Sequence, residues 1–105
     1  MEPSYSLFAD LAAELPTIPP DSIVSRTLVN EENLKLILFG FAAGQELSEH
    51  TASRPAMLHF LSGQADLTLG EDALSVEAGA WVRMPARLPH SVYARTVVVM
   101  LLYMV

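Results

Sequence analysis

The sequence predicts an all-β domain, an antiparallel sandwich or barrel of about eight strands behind a short helical or irregular lead. Three observations carry this expectation. Short apolar runs recur about every 8–12 residues. Within several runs apolar and polar residues alternate, and the breaks between runs hold Gly, Pro, Asn or Asp. At 105 residues, 51% of them hydrophobic, the chain builds one core and not two.

The elements follow in order. Residues 1–20 form the lead and 21–105 the barrel. In "SLFADLAAEL", Leu7, Leu11 and Leu15 recur four apart, which predicts one apolar stripe on about two and a half helical turns. Pro16, Pro19 and Pro20 end it. "SIVSRTLVN" is a β-branched strand that closes in the polar turn "NEEN". "LKLILFGFAAG" sets Leu34, Leu36 and Leu38 against Lys35 and then becomes wholly apolar, as a strand covered on both faces does. "MLHFLSG" and "ADLTLG" join through Ser62-Gly63-Gln64, and the turn "GED" leads into "ALSVEAG". "AWVRMP", "HSVYA" and "TVVVMLLYMV" complete the set.

Composition excludes several function classes. The net charge is −6, and the six cations (Arg26, Lys35, Arg54, Arg83, Arg87, Arg95) are scattered. Nucleic-acid binding needs clustered cations, so it is not expected. There is no cysteine, hence no disulfide, thiolate metal site or cysteine nucleophile. No Gly-x-Ser-x-Gly elbow supports a serine hydrolase. The N-terminus has acidic Glu2 and Asp10 where a signal peptide would be apolar. The longest apolar run is about half of a spanning helix. The expectation is a cytoplasmic protein with no membrane role.

Histidine placement supplies the functional clue. Gly44 is followed by five residues and His50, and the run closes on Gly63. Further on, Gly79, Pro85 and His90 stand in "GAWVRMPARLPH". These spacings, over residues 36–105, resemble the two motifs of the small single-domain cupins (the cupin type-2 conserved-barrel family). The resemblance implies a jelly-roll barrel, a double-stranded β-helix. It also implies inward ligands at four positions, of which two are kept. His50 and His90 stand at ligand positions, whereas Ala52 and Ala56 replace the second histidine and the glutamate. Arg87 stands where the motif has a glycine, and Ala94 where it has an asparagine.

Two imidazoles make a weak metal site, since even an open catalytic site normally has three protein ligands. The cofactor expectation is therefore none, or a weakly held divalent metal (zinc, nickel, iron or manganese) on His50 and His90, with Glu46 or Glu49 in the preceding loop as the carboxylate that could complete it. Strand parity from position 56 turns Leu58 and Phe60 inward and His59 outward. The same count turns Val82, Met84 and Val92 inward, and Trp81 and Arg83 outward. A pocket of His50, His90, Leu58, Phe60, Val82, Met84 and Val92 would suit a small apolar or weakly polar ligand. The same residues could instead simply fill the barrel.

The closing "VVVMLLYMV" has no polar alternation, so its outer face needs a cover, either the lead or a second subunit. A homodimer is the expectation. Two functions remain: a binding module for a small molecule, and a metal-dependent enzyme of dioxygenase, isomerase or decarboxylase type using His50 and His90.

Overall fold

The computed structural model describes residues 4–105, so the first three residues of the 1–20 lead lie outside the described residues. Nine strands follow the lead: β1 (Ile23–Glu31), β2 (Leu34–Phe41), β3 (Glu46–His50), β4 (Ala56–Ser62), β5 (Gln64–Leu69), β6 (Asp72–Glu77), β7 (Trp81–Met84), β8 (His90–Ala94) and β9 (Val98–Met104). They form two antiparallel sheets, ordered β1-β2-β9-β4-β7 and β3-β8-β5-β6. Each sheet holds one hairpin, β1–β2 and β5–β6, and the other links cross between sheets. The short crossings β2–β3, β4–β5, β6–β7 and β8–β9 stack the sheets in matching order. Thus β2 lies over β3, β9 over β8, β4 over β5 and β7 over β6. The all-β jelly-roll expectation holds.

The strand beyond the expected eight is β3. Its sequence, "ELSEH", has one apolar residue and little β-propensity, so the sequence alone predicts a loop there. It is an edge strand with one wet face, and only Leu47, paired with Val92, packs against the core. Tertiary pairing overrides local preference here.

The barrel core is one cluster of Phe41, Ala56, Leu58, Phe60, Ala65, Leu67, Met84, Val92, Ala94, Val98 and Met100, each at most 2% exposed. A second cluster lies outside the five-stranded sheet, where Leu38, Val99 and Leu101 are covered by Leu11, Leu15 and Ile18 of the lead. The lead, one of the two covers weighed for β9, lies over this face. It is not the helix expected from residues 6–15. Only a 3-10 turn forms, Leu11–Glu14, with Asp10 accepting from the Ala12 amide. Leu7, counted in the helical stripe, is 75% exposed. The proline at 16 cuts the segment too short for a helix that would have to carry its own nucleus. Leu11, Leu15 and Ile18 instead dock individually, and Arg26 of β1 pairs with Glu14 at 3.3 Å.

The lead also reverses the faces of β2. Leu36 and Leu38 point outward under it, and Phe39 and Phe41 pack inward. Register in β2–β9 is unbroken, with Lys35 opposite Met104 and Phe41 opposite Val98. Lys35 therefore has inner-face parity, at the end of β2 away from the β2–β3 crossing.

At the β4–β5 crossing Gly63 has φ of 89°, and a Cβ there would run into the Val97 carbonyl and lie 2.9 Å from Val98 Cα. Only glycine fits so close to that backbone. No helix among the described residues is long and apolar enough to cross a membrane.

Candidate functional site

β3 and β8 are neighbours in the four-stranded sheet, and His50 lies directly opposite His90. The pairing depends on a bulge. From Leu47 to His50 is three steps on β3, while their partners Val92 and His90 are two steps apart on β8. The extra residue returns His50 to the face of Leu47, which is the barrel side. Without the bulge His50 would share the outer face with Glu46, which pairs with Tyr93.

The ring centres are 4.2 Å apart, with the planes inclined at 53°. His90 is 5% exposed and His50 lies open at the barrel end. Each ring is fixed the same way. His50 Nδ1 donates to the Ser48 carbonyl at 2.8 Å, and His90 Nδ1 donates to the Leu88 carbonyl at 2.9 Å. A carbonyl only accepts, so a neutral ring held in this way keeps its proton on Nδ1. Each Nε2 is then a lone-pair acceptor, and neither makes a hydrogen bond among the described residues.

The end of the barrel around this pair is shaped by the loops at 51–55 and 85–89. They are tied by the Arg87 amide donating to the Ala52 carbonyl at 2.7 Å, and the Gly70 amide donates to the Pro89 carbonyl at 2.8 Å. Arg87 itself has φ of 66°, a left-handed conformation at the position where the resembled motif carries glycine.

The other residues expected at the site separate into groups. Leu58, Phe60, Met84 and Val92 lie in the packed core, each at most 2% exposed, and Val82 packs half-buried against them. They fill the barrel beneath the histidines. Ala56 is 1% exposed inside the same core. Glu46 faces the other way, and no group of three or more His, Asp or Glu side chains gathers among the described residues. Of the two carboxylates that could have completed the set, Glu46 is left outside by the bulge that turns His50 inward, and Glu49 joins no such group among the described residues. Two nitrogen donors fall short of the three protein ligands that a catalytic zinc site normally has.

His59 lies on the outer face opposite Trp81 and Leu101, as strand parity requires. An ion pair with shifted titration also lies outside the site. On the outer face of the four-stranded sheet, Arg95 donates to Asp66 at 2.7 Å and Ser75 donates at 2.9 Å. The bonds from Arg95 and then Ser75 hold the Asp66 carboxyl below its ordinary value, and Asp66 in turn holds the Arg95 guanidinium above its own. An open depression of about 370 Å³ lies beside them, lined in part by Glu46, Asp66, Ser91 and Tyr93. Sequence reasoning missed the inner parity of Lys35. The signal was present, since Lys35, Ile37, Phe39 and Phe41 share one parity, but the leucines of the opposite parity looked equally like a core face.

A two-sheet jelly roll with a histidine pair at one end defines a small barrel protein of the cupin type. The chain's fold is that of the cupin superfamily proteins found among the solved structures it resembles. Among solved structures it is similar to a conserved protein of unknown function from Streptococcus pyogenes, at 36% identity over 100% of this chain and 90% of that one, with a TM-score of 0.83. It is also similar to a cupin superfamily protein from Desulfitobacterium hafniense, at 21% identity over 90% and 86% of the two chains, with a TM-score of 0.85. A cupin 2 conserved barrel domain protein from Leptotrichia buccalis matches at 29% identity over 89% of this chain and 45% of that one, with a TM-score of 0.79. No family model and no curated protein matches the chain.

Proposed function

We propose that this cupin-fold protein is a binding module that holds a small organic ligand at the end of its barrel, on His50 and His90. The observation that carries the reading is the pair of rings, each anchored through Nδ1 and each left with a free Nε2. Anchored polar groups beside an apolar body are what a small-molecule site needs. Leu58, Phe60, Val82, Met84 and Val92 supply that body, and the ligand rests above them because the interior is filled.

The second reading is a metal-dependent enzyme. It is favoured by the same Nδ1 anchoring, which also orients histidines that ligate metals. The donor set weighs against it. We propose further that two copies pair through the outer face near Trp81, which is 55% exposed and donates to the Tyr103 hydroxyl.

The test adds iron(II), manganese(II) and zinc(II) separately to chelator-treated protein, with a His50→Ala/His90→Ala variant as control. In parallel, small organic probes are titrated and read on the imidazole NMR signals. The binding-module reading expects organic probes to move both rings and metal to bind only weakly. One tightly held ion per chain, lost in the variant, would put the enzyme reading first.

A further inference from the structure

The ligand's own chemistry can be read from what the barrel end offers. The two Nε2 atoms are acceptors, so they call for hydroxyl groups that donate to them. Of the cations carried on strands, one has the right parity to join them. Lys35 lies opposite Met104, whose side chain packs against the barrel core, and both share the end of the five-stranded sheet that holds Ala56 and Met84. That end is the histidine end, because Met84 leads through residues 85–89 into His90, and His50 leads through 51–55 into Ala56. Stacking sets β2 over β3, so Lys35 stands across the sandwich from the His50 strand.

Lys35 is half-buried, and the two ion pairs among the described residues are Arg26–Glu14 and Arg95–Asp66, so it has no carboxylate partner there. A surface lysine alternating with apolar residues normally points to solvent. Here the lead has taken the outer face of β2 for Leu36 and Leu38, and the cation is left on the barrel side.

We propose that Lys35 is a third polar group of this site and that the ligand is a small hydroxycarboxylate. Its carboxylate pairs with the Lys35 ammonium, and its hydroxyls donate to His50 and His90 Nε2. The assignment rests on the binding-module reading and adds to it the charge and the hydroxyl requirement. A charge-assisted bond gives the acid an advantage that its neutral amide lacks.

The experiment titrates the whole chain at fixed pH with lactate, malate and gluconate as sodium salts. Lactamide and gluconamide serve as uncharged matches, and propionate supplies the charge without the hydroxyl. Binding is read on the imidazole signals of His50 and His90, in the natural chain and in Lys35→Met, which keeps the apolar stem. At least one hydroxy acid is expected to bind about tenfold tighter than its amide and than propionate, and to lose that advantage in Lys35→Met. Acid and amide binding alike, or an acid indifferent to Lys35→Met, overturns the assignment while leaving the binding-module reading in place. If no probe of either kind moves the ring signals, both fall.

Discussion

Docking of the lead on the five-stranded sheet can be tested at one atom. Gly40 lies on the outer face of β2, and a Cβ built there would sit 2.7 Å from both Ile18 Cδ1 and Ile18 Cγ1, and 3.3 Å from Val24 Cγ2. Two carbons normally rest about 3.5–4.0 Å apart, so Gly40→Ala demands that Ile18 move by about an ångström. Overpacking of this kind costs about 1–3 kcal/mol, partly offset by about 0.4–1 kcal/mol from the stiffer unfolded chain. The net expectation is a loss of about 0.5–2 kcal/mol. Ile18→Ala, at a half-buried site, should cost about 1–2 kcal/mol by itself. In the double variant the clashing atoms are gone, and the methyl added by Gly40→Ala should be neutral or slightly favourable. Denaturant melts of the four proteins therefore give a coupling of about 0.5–2.5 kcal/mol, centred well above about 1 kcal/mol. If the two changes instead add within about 0.5 kcal/mol, Ile18 does not lie over Gly40 and the intramolecular cover of Val99 and Leu101 is wrong.

Other outcomes follow from single positions. Gly63→Ala should cost about 3 kcal/mol or more, or prevent folding, because the obstacle is the Val97–Val98 backbone and not a movable side-chain tip; a stable, natively melting variant would contradict the crossing described. Arg87→Gly removes a left-handed non-glycine residue without touching its amide bond to Ala52, and should raise stability by about 0.5–1 kcal/mol in chemical denaturation. For Asp66, the folded carboxyl is held below its ordinary 3.8, first by the hydrogen bond from Arg95 and then by that from Ser75. Its contribution is thus present above the unfolded value and lost as pH falls through the lowered folded value. Asp66→Asn should flatten that acid limb in thermal melts, and an unchanged limb would show the pair to be idle. Light scattering at micromolar concentration should return a dimer mass that Trp81→Glu reduces to a monomer; a monomer for the unchanged chain removes the pairing.

Much of the molecule is set by local physics that can be read along the chain. Strand periodicity, turn residues and motif spacing mark eight of the nine strands, and parity alone puts His59 and Trp81 outside and Leu58 and Phe60 inside. Alanine at 52 and 56 removes two ligands whatever the fold does around them. Long-range contacts decide the remainder. Whether "ELSEH" is a strand depends on an edge left open beside β8, and whether His50 faces the barrel depends on one bulged residue between Leu47 and His50. Nothing in the neighbouring stretch of chain carries either fact. The face of β2 was likewise undecidable locally, because leucines lie on one side and phenylalanines on the other. Only the position of the lead, a contact between segments far apart in sequence, chose the leucines as the outer layer and left Lys35 with the parity of the barrel side.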